Sequence, residues 1–464
     1  MTERLRTQRE RAERAGQGHV FRFWDELTAD QRAVLLDQLE AVDYDALLEL
    51  ARLFAATPEV ASTFDPPALF PRERDAAHEA RAEEARKAGA ELLARGKVGY
   101  LLVAGGQASR LGYEGPKGCF PVGPVSGRSL FEVHARRLRA AALRHGTDGP
   151  WYVMTSPAND AQTREFFAEH GHFGLDPARV HFFSQAMLPA LDTEGRVLMS
   201  SKHELFLAPN GHGGVLAAFA GSGLLAGARD EGIEQISYFQ VDNPLVRPAD
   251  PLFLGLHALA DAGMSSKIVT KRDEHEKVGV LGLADGKLGC IEYSDLPDAL
   301  RGARDEHGQL VFGAGNIAVH AMSLDFLDEV CGHGLKLPWH LARKSMTVVG
   351  EDGALTTREG GKFETFVFDA LGLAANSVTL EVDRAEEFSP VKNSAGSDSP
   401  ETARRDMCRL HAGWVAHAGL ELPASTAGDA PLVEVDPLVA ETLPEFLAAR
   451  PKRTEPPSGG HLYE

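Results

Sequence analysis

Cysteine is scarce in this chain: Cys119, Cys290, Cys331 and Cys408 are all it has in 464 residues. They are widely scattered, form no C-x-x-C pair and have no nearby histidine at zinc-ligand spacing. That leaves free, mostly buried thiols in a reducing compartment as the expectation. No run approaches the roughly 18 apolar residues of a membrane span. The opening MTERLRTQRERAERAG has no apolar core, so no signal peptide is expected and the chain reads as cytoplasmic. Positive charge is also short, with 48 Lys and Arg against 67 Asp and Glu and a net charge of −19. This excludes a nucleic-acid or anionic-membrane partner as the natural reading. Internal repeats are missing too. What remains is an ordinary globular composition, 43% hydrophobic and 25% charged, long enough for a large core and an accessory domain.

Against that background one stretch carries most of the information: Val98–Val122, VGYLLVAGGQASRLGYEGPKGCFPV. A strand-like run empties into Gly105-Gly106, followed by Arg110, Gly112 and Pro116-Lys117-Gly118. Glycines let backbone N–H groups approach phosphate oxygens without Cβ interference, and consecutive N–H groups form an anion-binding concavity. Arg110 and Lys117 add charge at two points along a bound phosphate chain. The spacing excludes two familiar phosphate loops. No Lys-Ser/Thr pair follows a glycine as in G-x-x-x-x-G-K-[ST], and the glycine intervals do not match G-x-G-x-x-G.

The chain changes character near residue 97. Residues 1–96 read as a helical domain, ending in an Ala/Glu/Arg-rich helix over Asp75–Arg95. Residues 97–408 alternate strands and helices. The strands expected are Val98–Val103, Trp151–Thr155, Val180–Phe183, Ile236–Val241 and Lys267–Lys271. The helices expected between them are Ser129–Leu143, Asp160–Glu169, Gly214–Ala228 and Pro251–Ala262. This is the pattern of an α/β fold, a largely parallel sheet with helices on both faces. Val278–Leu283 and Lys287–Tyr293 read as an inserted hairpin turning at Ala284-Asp285-Gly286. Residues 409–464 would form a small C-terminal domain, with Pro451–Glu464 a disordered end.

In an open parallel sheet, ligands bind beyond the carboxyl ends of the strands. The strand Ile236–Val241 ends in Asp242-Asn243, which aims a carboxylate at the crevice that holds the glycine loop and suits Asp242 to a Mg²⁺ ion. Asp250 fits better as the cap of the helix at Pro251. Three further clusters complete a sugar-phosphate recipe of carboxylate, amide and cation: Glu292 with Tyr293, Asn316 after Gly313 and Gly315, and Lys392 on a Pro-fixed loop.

Taken in order, these motifs resemble the eukaryotic-type UDP-N-acetylhexosamine pyrophosphorylases, and more broadly the UTP-dependent sugar 1-phosphate uridylyltransferases. The resemblance runs nearly end to end. It includes Phe23-Trp24-Asp25-Glu26-Leu27, the glycine loop, Phe182 to Ala190, Ala208 to Gly214, Val241-Asp242-Asn243, Glu292-Tyr293-Ser294, Ala314 to Ala318, Leu337-Pro338 and Glu387 to Asn393. It implies a Rossmann-like nucleotidyltransferase core that takes UTP and a sugar 1-phosphate, with Mg²⁺, as a monomer or weak homo-oligomer. By the same resemblance Ala104, Gly105, Gly106, Arg110 and Lys117 would lie along the UTP phosphates. Gln185, Gly211 and His212 would lie at the nucleotide, with Gln185 and the Gly211 backbone reading uracil. Glu292, Tyr293 and Asn316 would hold the sugar, Lys392 its phosphate and Asp242 the metal.

Two departures from the family's pattern stand out, one that would reshape the glycine loop and one that bears on the sugar. Ala108-Ser109 stands where the family has a Gly-Thr pair, and His212 stands where acetylhexosamine enzymes carry Asn. Gly211-His212-Gly213 resembles the UDP-glucose and broad-range branches, whereas Asn316-Ile317-Ala318-Val319-His320 resembles the acetylhexosamine branch. N-acetylglucosamine 1-phosphate is the substrate the whole implies, with glucose 1-phosphate the alternative. A non-catalytic sugar-nucleotide-binding regulator is the reading from another class.

Overall fold

The structure is a computed structural model that describes residues 3–56, 61–293, 295–332, 337–424, 430–449, 451–454 and 459–464. Ser294, the last residue of the Glu292-Tyr293-Ser294 motif, lies outside the described residues. The chain divides into two compact units, each assembled from separated stretches: Met1–Val60, Gln185–Val215 and Lys336–Asp369 in the first, and the remainder in the second.

The second unit is built on a mixed sheet. Its strands are β1 (Val98–Val103), β2 (Trp151–Thr155), β3 (Val180–Ser184), β4 (Gln235–Gln240), β5 (Met264–Thr270), β6 (Val280–Ala284), β7 (Lys287–Ile291), β8 (Ala314–Ser323) and β9 (Thr379–Glu381). The order across the sheet is β9-β5-β8-β4-β1-β2-β3, with the short strand Leu69–Phe70 beyond β9 and the β6–β7 hairpin off β8. β4, β1, β2 and β3 run parallel, whereas β8 is antiparallel to both of its neighbours. Near-continuous burial along β1 and β2 is what a sheet covered on both faces requires. The α/β expectation therefore holds, and the parallel half of the sheet is where the glycine loop emerges.

The helices of this unit are α1 (Ala76–Ala94), α2 (Leu130–His145), α3 (Asp160–Glu169), α4 (Pro251–Leu259) and α5 (Pro400–His417). Their caps follow from sequence: Asp75 opens α1, Ser129 opens α2 and Asp250 opens α4, each with its side chain accepting a backbone N–H. α1 and α4 touch backbone to backbone. A Cβ on Gly89 would sit 1.9 Å from the Pro251 carbonyl oxygen, and one on Gly255 1.7 Å from that of Ala85.

Packing redraws the sequence boundaries. The residue 1–96 block is shared out: α1 packs in the second unit, while the earlier helices build the core of the first. The span Gly214–Ala228 is two helices, Gly214–Gly221 and Leu224–Asp230, because Gly223 adopts φ +79° between them. The expected disordered end is also corrected. His461–Tyr463 pairs with Val433–Val435 and Arg453–Thr454, and Tyr463 is buried against Trp414 and Phe446.

The first unit has its own core, in which Leu35, Leu39, Leu47 and Leu50 meet Leu191, Val197, Leu205 and Phe363. Its sheet is a long hairpin, His340–Val349 with Leu355–Glu364, joined by Leu191–Asp192. Among the described residues no helix is long and apolar enough to cross a membrane.

Candidate active site

The glycine loop leaves β1 and folds back on itself. Lys117 N–H donates to the Gly106 carbonyl at 3.0 Å and Ala108 N–H to that of Gly115 at 3.0 Å. Asn159 fastens the loop from beneath. Its Nδ2 donates to the carbonyls of Ala104 (3.0 Å) and Gly106 (3.3 Å), and its Oδ1 accepts from Ser156 N–H at 2.8 Å. Sequence reasoning missed Asn159 because it stands at the start of α3, where an ordinary helix cap is expected. Its amide makes no cap bond. A Cβ on Gly106 would meet no atom within 4 Å, so the outer side of the loop is open to a ligand's oxygens. Arg110 is exposed on the same loop. Cys119 is buried, and burial pushes its thiol up to about 12, which leaves it inert as a nucleophile.

Lys117 and Asp242 come together. The Lys117 Nζ stands 3.4 Å from Asp242 Oδ2, with side chains 17% and 12% exposed. Asp242 follows β4, the parallel neighbour of β1, so both residues project from adjacent carboxyl ends, as strand order predicts. His134, fully buried on α2, contacts the Val241 carbonyl at 3.0 Å and steadies the strand end. Burial lowers this imidazole to about 4. The Lys392 segment reaches the same loop through Val391 N–H, which donates to the Asp242 carbonyl at 2.9 Å. Lys392 itself is exposed.

Glu292 and Asn316 meet around Gly279. Asn316 N–H donates to the Gly279 carbonyl at 2.9 Å, and Glu292 Oε1 lies 3.4 Å from where a Gly279 Cβ would be. Asn316 sits at a bulge in β8, where Lys267 pairs with Val319 but Ile268 pairs with Asn316. Ala318 takes φ +54° there and donates its N–H to Asn316 Oδ1 at 2.9 Å. The bulge thus fixes the amide through its oxygen and leaves Asn316 half-buried. Tyr293 is 43% exposed beside Glu292.

Gln185, Gly211 and His212 belong to the first unit. Gln185 Nε2 donates to the Gly211 carbonyl at 3.0 Å, which fixes the amide and leaves its oxygen for another partner. Gly211 has φ +80°, and a Cβ there would stand 2.4 Å from the Thr365 carbonyl oxygen, so no other residue fits. The His212 ring stacks on Phe366 at 5.2 Å and 25°, and its Nδ1 accepts from Val367 N–H at 3.2 Å. His340 covers the Phe366 ring with centroids 4.4 Å apart and contacts Asp369 at 2.8 Å.

The family model described as UTP–glucose-1-phosphate uridylyltransferase matches residues 66–428. The chain belongs to this family. The human "UDP-N-acetylhexosamine pyrophosphorylase-like protein 1" is 38% identical to it, across 95% of this chain and 94% of that protein. "UDP-N-acetylglucosamine diphosphorylase 2" of Arabidopsis thaliana is 37% identical, across 92% and 88%. The crystal structure of the uridine diphosphate N-acetylglucosamine pyrophosphorylase from Trypanosoma brucei superposes with a TM-score of 0.82 at 28% identity, covering 97% of this chain and 95% of that one. Membership makes the chain an enzyme of the uridylyltransferase type.

Among the described residues no group of three or more His, Cys, Asp and Glu side chains could hold a metal. An all-protein cage is therefore not what the described residues offer. A single part-buried carboxylate, Asp242, does fit a hard cation that keeps water and takes its other oxygens from a phosphate.

Proposed function

We propose that this enzyme transfers the uridylyl group of UTP to N-acetylglucosamine 1-phosphate, releasing pyrophosphate. The observation that carries the reading is the facing of Lys117 and Asp242 at 3.4 Å, with the Lys392 segment bonded to the Asp242 backbone. A cation, a carboxylate and the backbone that leads to a second lysine are thereby joined in a protein of strongly negative net charge. A reaction among phosphates needs that arrangement.

The chemistry follows from the ligands. A phosphate oxygen of the sugar 1-phosphate attacks the α-phosphorus of UTP in line. The α–β phosphoanhydride P–O bond breaks and its electron pair leaves on pyrophosphate. The nucleophile is already an anion, so no general base is required. The protein's task is placement and charge neutralisation. Arg110 and Lys117 lie along the triphosphate with the backbone of Ala104, Gly105 and Gly106, and Lys392 holds the sugar phosphate. Asp242 would hold Mg²⁺, which when bound neutralises charge developing on the phosphate oxygens. Glu292, Tyr293 and Asn316 take the sugar hydroxyls and amide. Gln185 and the Gly211 backbone read uracil, with His212 beside them. A cytoplasmic setting and a monomer or weak homo-oligomer belong to the same reading.

The test is pyrophosphate release from UTP and Mg²⁺ with N-acetylglucosamine, N-acetylgalactosamine, glucose and galactose 1-phosphates in parallel. Highest kcat/KM with N-acetylglucosamine 1-phosphate is expected. Preference for glucose 1-phosphate would move the substrate to the alternative that His212 suggests. No release with any of the four would overturn the reading.

A further inference from the structure

One buried side chain ties the loop of Asp242 to the loop of Lys392 without belonging to either role. Asn243 directly follows Asp242 and is 4% exposed. Its Nδ2 donates to the Glu387 carbonyl at 2.7 Å. Its Oδ1 accepts from Ser389 N–H at 3.2 Å and from Leu245 N–H at 3.2 Å. The amide therefore grips the Lys392 segment on both sides of Phe388 while fixing its own turn. Only a group with a donor and an acceptor on one plane can make both bonds.

The gripped segment is anchored from behind. The Glu387 carboxylate lies 2.5 Å from the Nζ of Lys267, which is wholly buried and also 2.7 Å from Asp250. Ser389 Oγ donates to Asp406 at 2.8 Å. Burial alone would depress Lys267, but Asp250 and Glu387 outweigh it and raise its pKa, so the ammonium stays charged. Residues 387 and 389 are thus pinned to Asn243 at one end and to a buried ion pair at the other. Three residues farther on, Lys392 reaches out.

We infer that Asn243 is a positioning residue that sets the Lys392 ammonium relative to the Asp242 carboxylate, with the Lys267–Glu387 pair as its anchor. This rests on the assignment of Asp242 and Lys392 to uridylyl transfer. Asn243 touches no substrate in this scheme. It acts through the backbone of the segment that ends in Lys392. A displacement of about 1 Å at such a group costs about 10²-fold in rate.

The experiment compares kcat and KM for both substrates in the wild type, N243A, N243D, K392A and N243A/K392A. UTP dissociation constants and thermal midpoints of each complete the set. N243A is expected to lower kcat about 10²-fold while the UTP dissociation constant stays within about threefold. N243D keeps the acceptor and loses the donor to Glu387, so it should fall between. In the K392A background, N243A should cost less than about threefold more, because both changes remove the same contact. A merely structural role would multiply its cost in either background, and that result, or an unchanged kcat in N243A, overturns the inference. If N243A does not fold, an unchanged kcat in N243D overturns it equally. Full turnover by K392A would instead overturn the assignment of Lys392, and the inference with it.

Discussion

The two compact units place their site residues by different physics. In the second, ion pairs are buried behind the loops that carry Asp242 and Lys392: Lys267 with Asp250 and Glu387, and Arg137 with Glu441, at 3.0 Å or less. In the first, the comparable residues are held by backbone and rings, as in the Gln185–Gly211 bond and the His212–Phe366 stack. The ligands assigned to them differ in the same way. Triphosphate and sugar phosphate carry charge that must be met at fixed points, and a displaced cation loses steeply. Uracil is neutral and flat, so an amide and a turn suffice.

The largest test of that contrast is a pair of lysine substitutions. Lys267→Met removes the cation nearest to Asp250 and Glu387, leaving Glu387 only the Arg247 guanidinium at 3.8 Å, and should cost about 3–5 kcal/mol of stability. Lys202→Met in the first unit removes a pair with Glu26 whose side chains are 40% and 57% exposed, and should cost less than about 1 kcal/mol. Urea denaturation of both variants decides it. Equal losses would mean that buried charge is not what distinguishes the second unit.

Next come rates. Lys117→Ala should lower kcat by about 10²–10³-fold, the usual cost of one preorganised group facing developing charge. Gln185→Ala, which removes a contact made equally in ground and transition states, should raise the KM for UTP and leave kcat within about threefold. A Gln185 variant that lost kcat as heavily as Lys117→Ala would break the division between binding and catalytic residues.

Much of this was legible in the chain and some was not. β1 and β2 run over Val98–Val103 and Trp151–Thr155 and α3 over Asp160–Glu169, as their periodicity and flanking residues indicate. Such elements are local: a buried parallel strand is apolar throughout and a helix repeats every turn. β8 escaped, because Gly313-Ala314-Gly315-Asn316 looks like a turn and the bulge at Ala318 breaks the alternation. The His340–Val349 and Leu355–Glu364 hairpin escaped as well, because exposed, half-buried and buried positions follow one another along both strands without a regular alternation. Candidate site residues with special chemistry, such as Lys117, Asp242 and Lys392, announce themselves by type and position. Asn159 and Asn243 do not, since a buried amide is recognised only by the carbonyls it meets.

Acid should expose the same asymmetry more gently. His257 and His411 lie buried in the second unit, and burial lowers them to about 4 and about 3. The unfolded chain takes up those protons near pH 6.5 while the folded chain does not, so stability falls as pH drops from about 6.5 towards 4. The loss should reach a few kcal/mol in all. His257→Gln and His411→Gln should flatten the slope of denaturation midpoint against pH. An unchanged slope would place the acid sensitivity elsewhere.

The smallest expected effect concerns the residue at which the sequence departs from the acetylhexosamine pattern. His212 Nδ1 accepts from Val367 N–H, and an asparagine Oδ1 reaches nearly the same point. His212→Asn would therefore keep that bond and lose the ring contact with Phe366, worth about 0.5–1.5 kcal/mol. Phe366 would still be covered from its other contact by His340, so the aromatic pile survives in part. On this geometry the histidine acts as packing, and the ratio of kcat/KM for N-acetylglucosamine and glucose 1-phosphates should move less than about tenfold, the range of one small contact. A reversal of preference on His212→Asn would show that the ring selects the sugar.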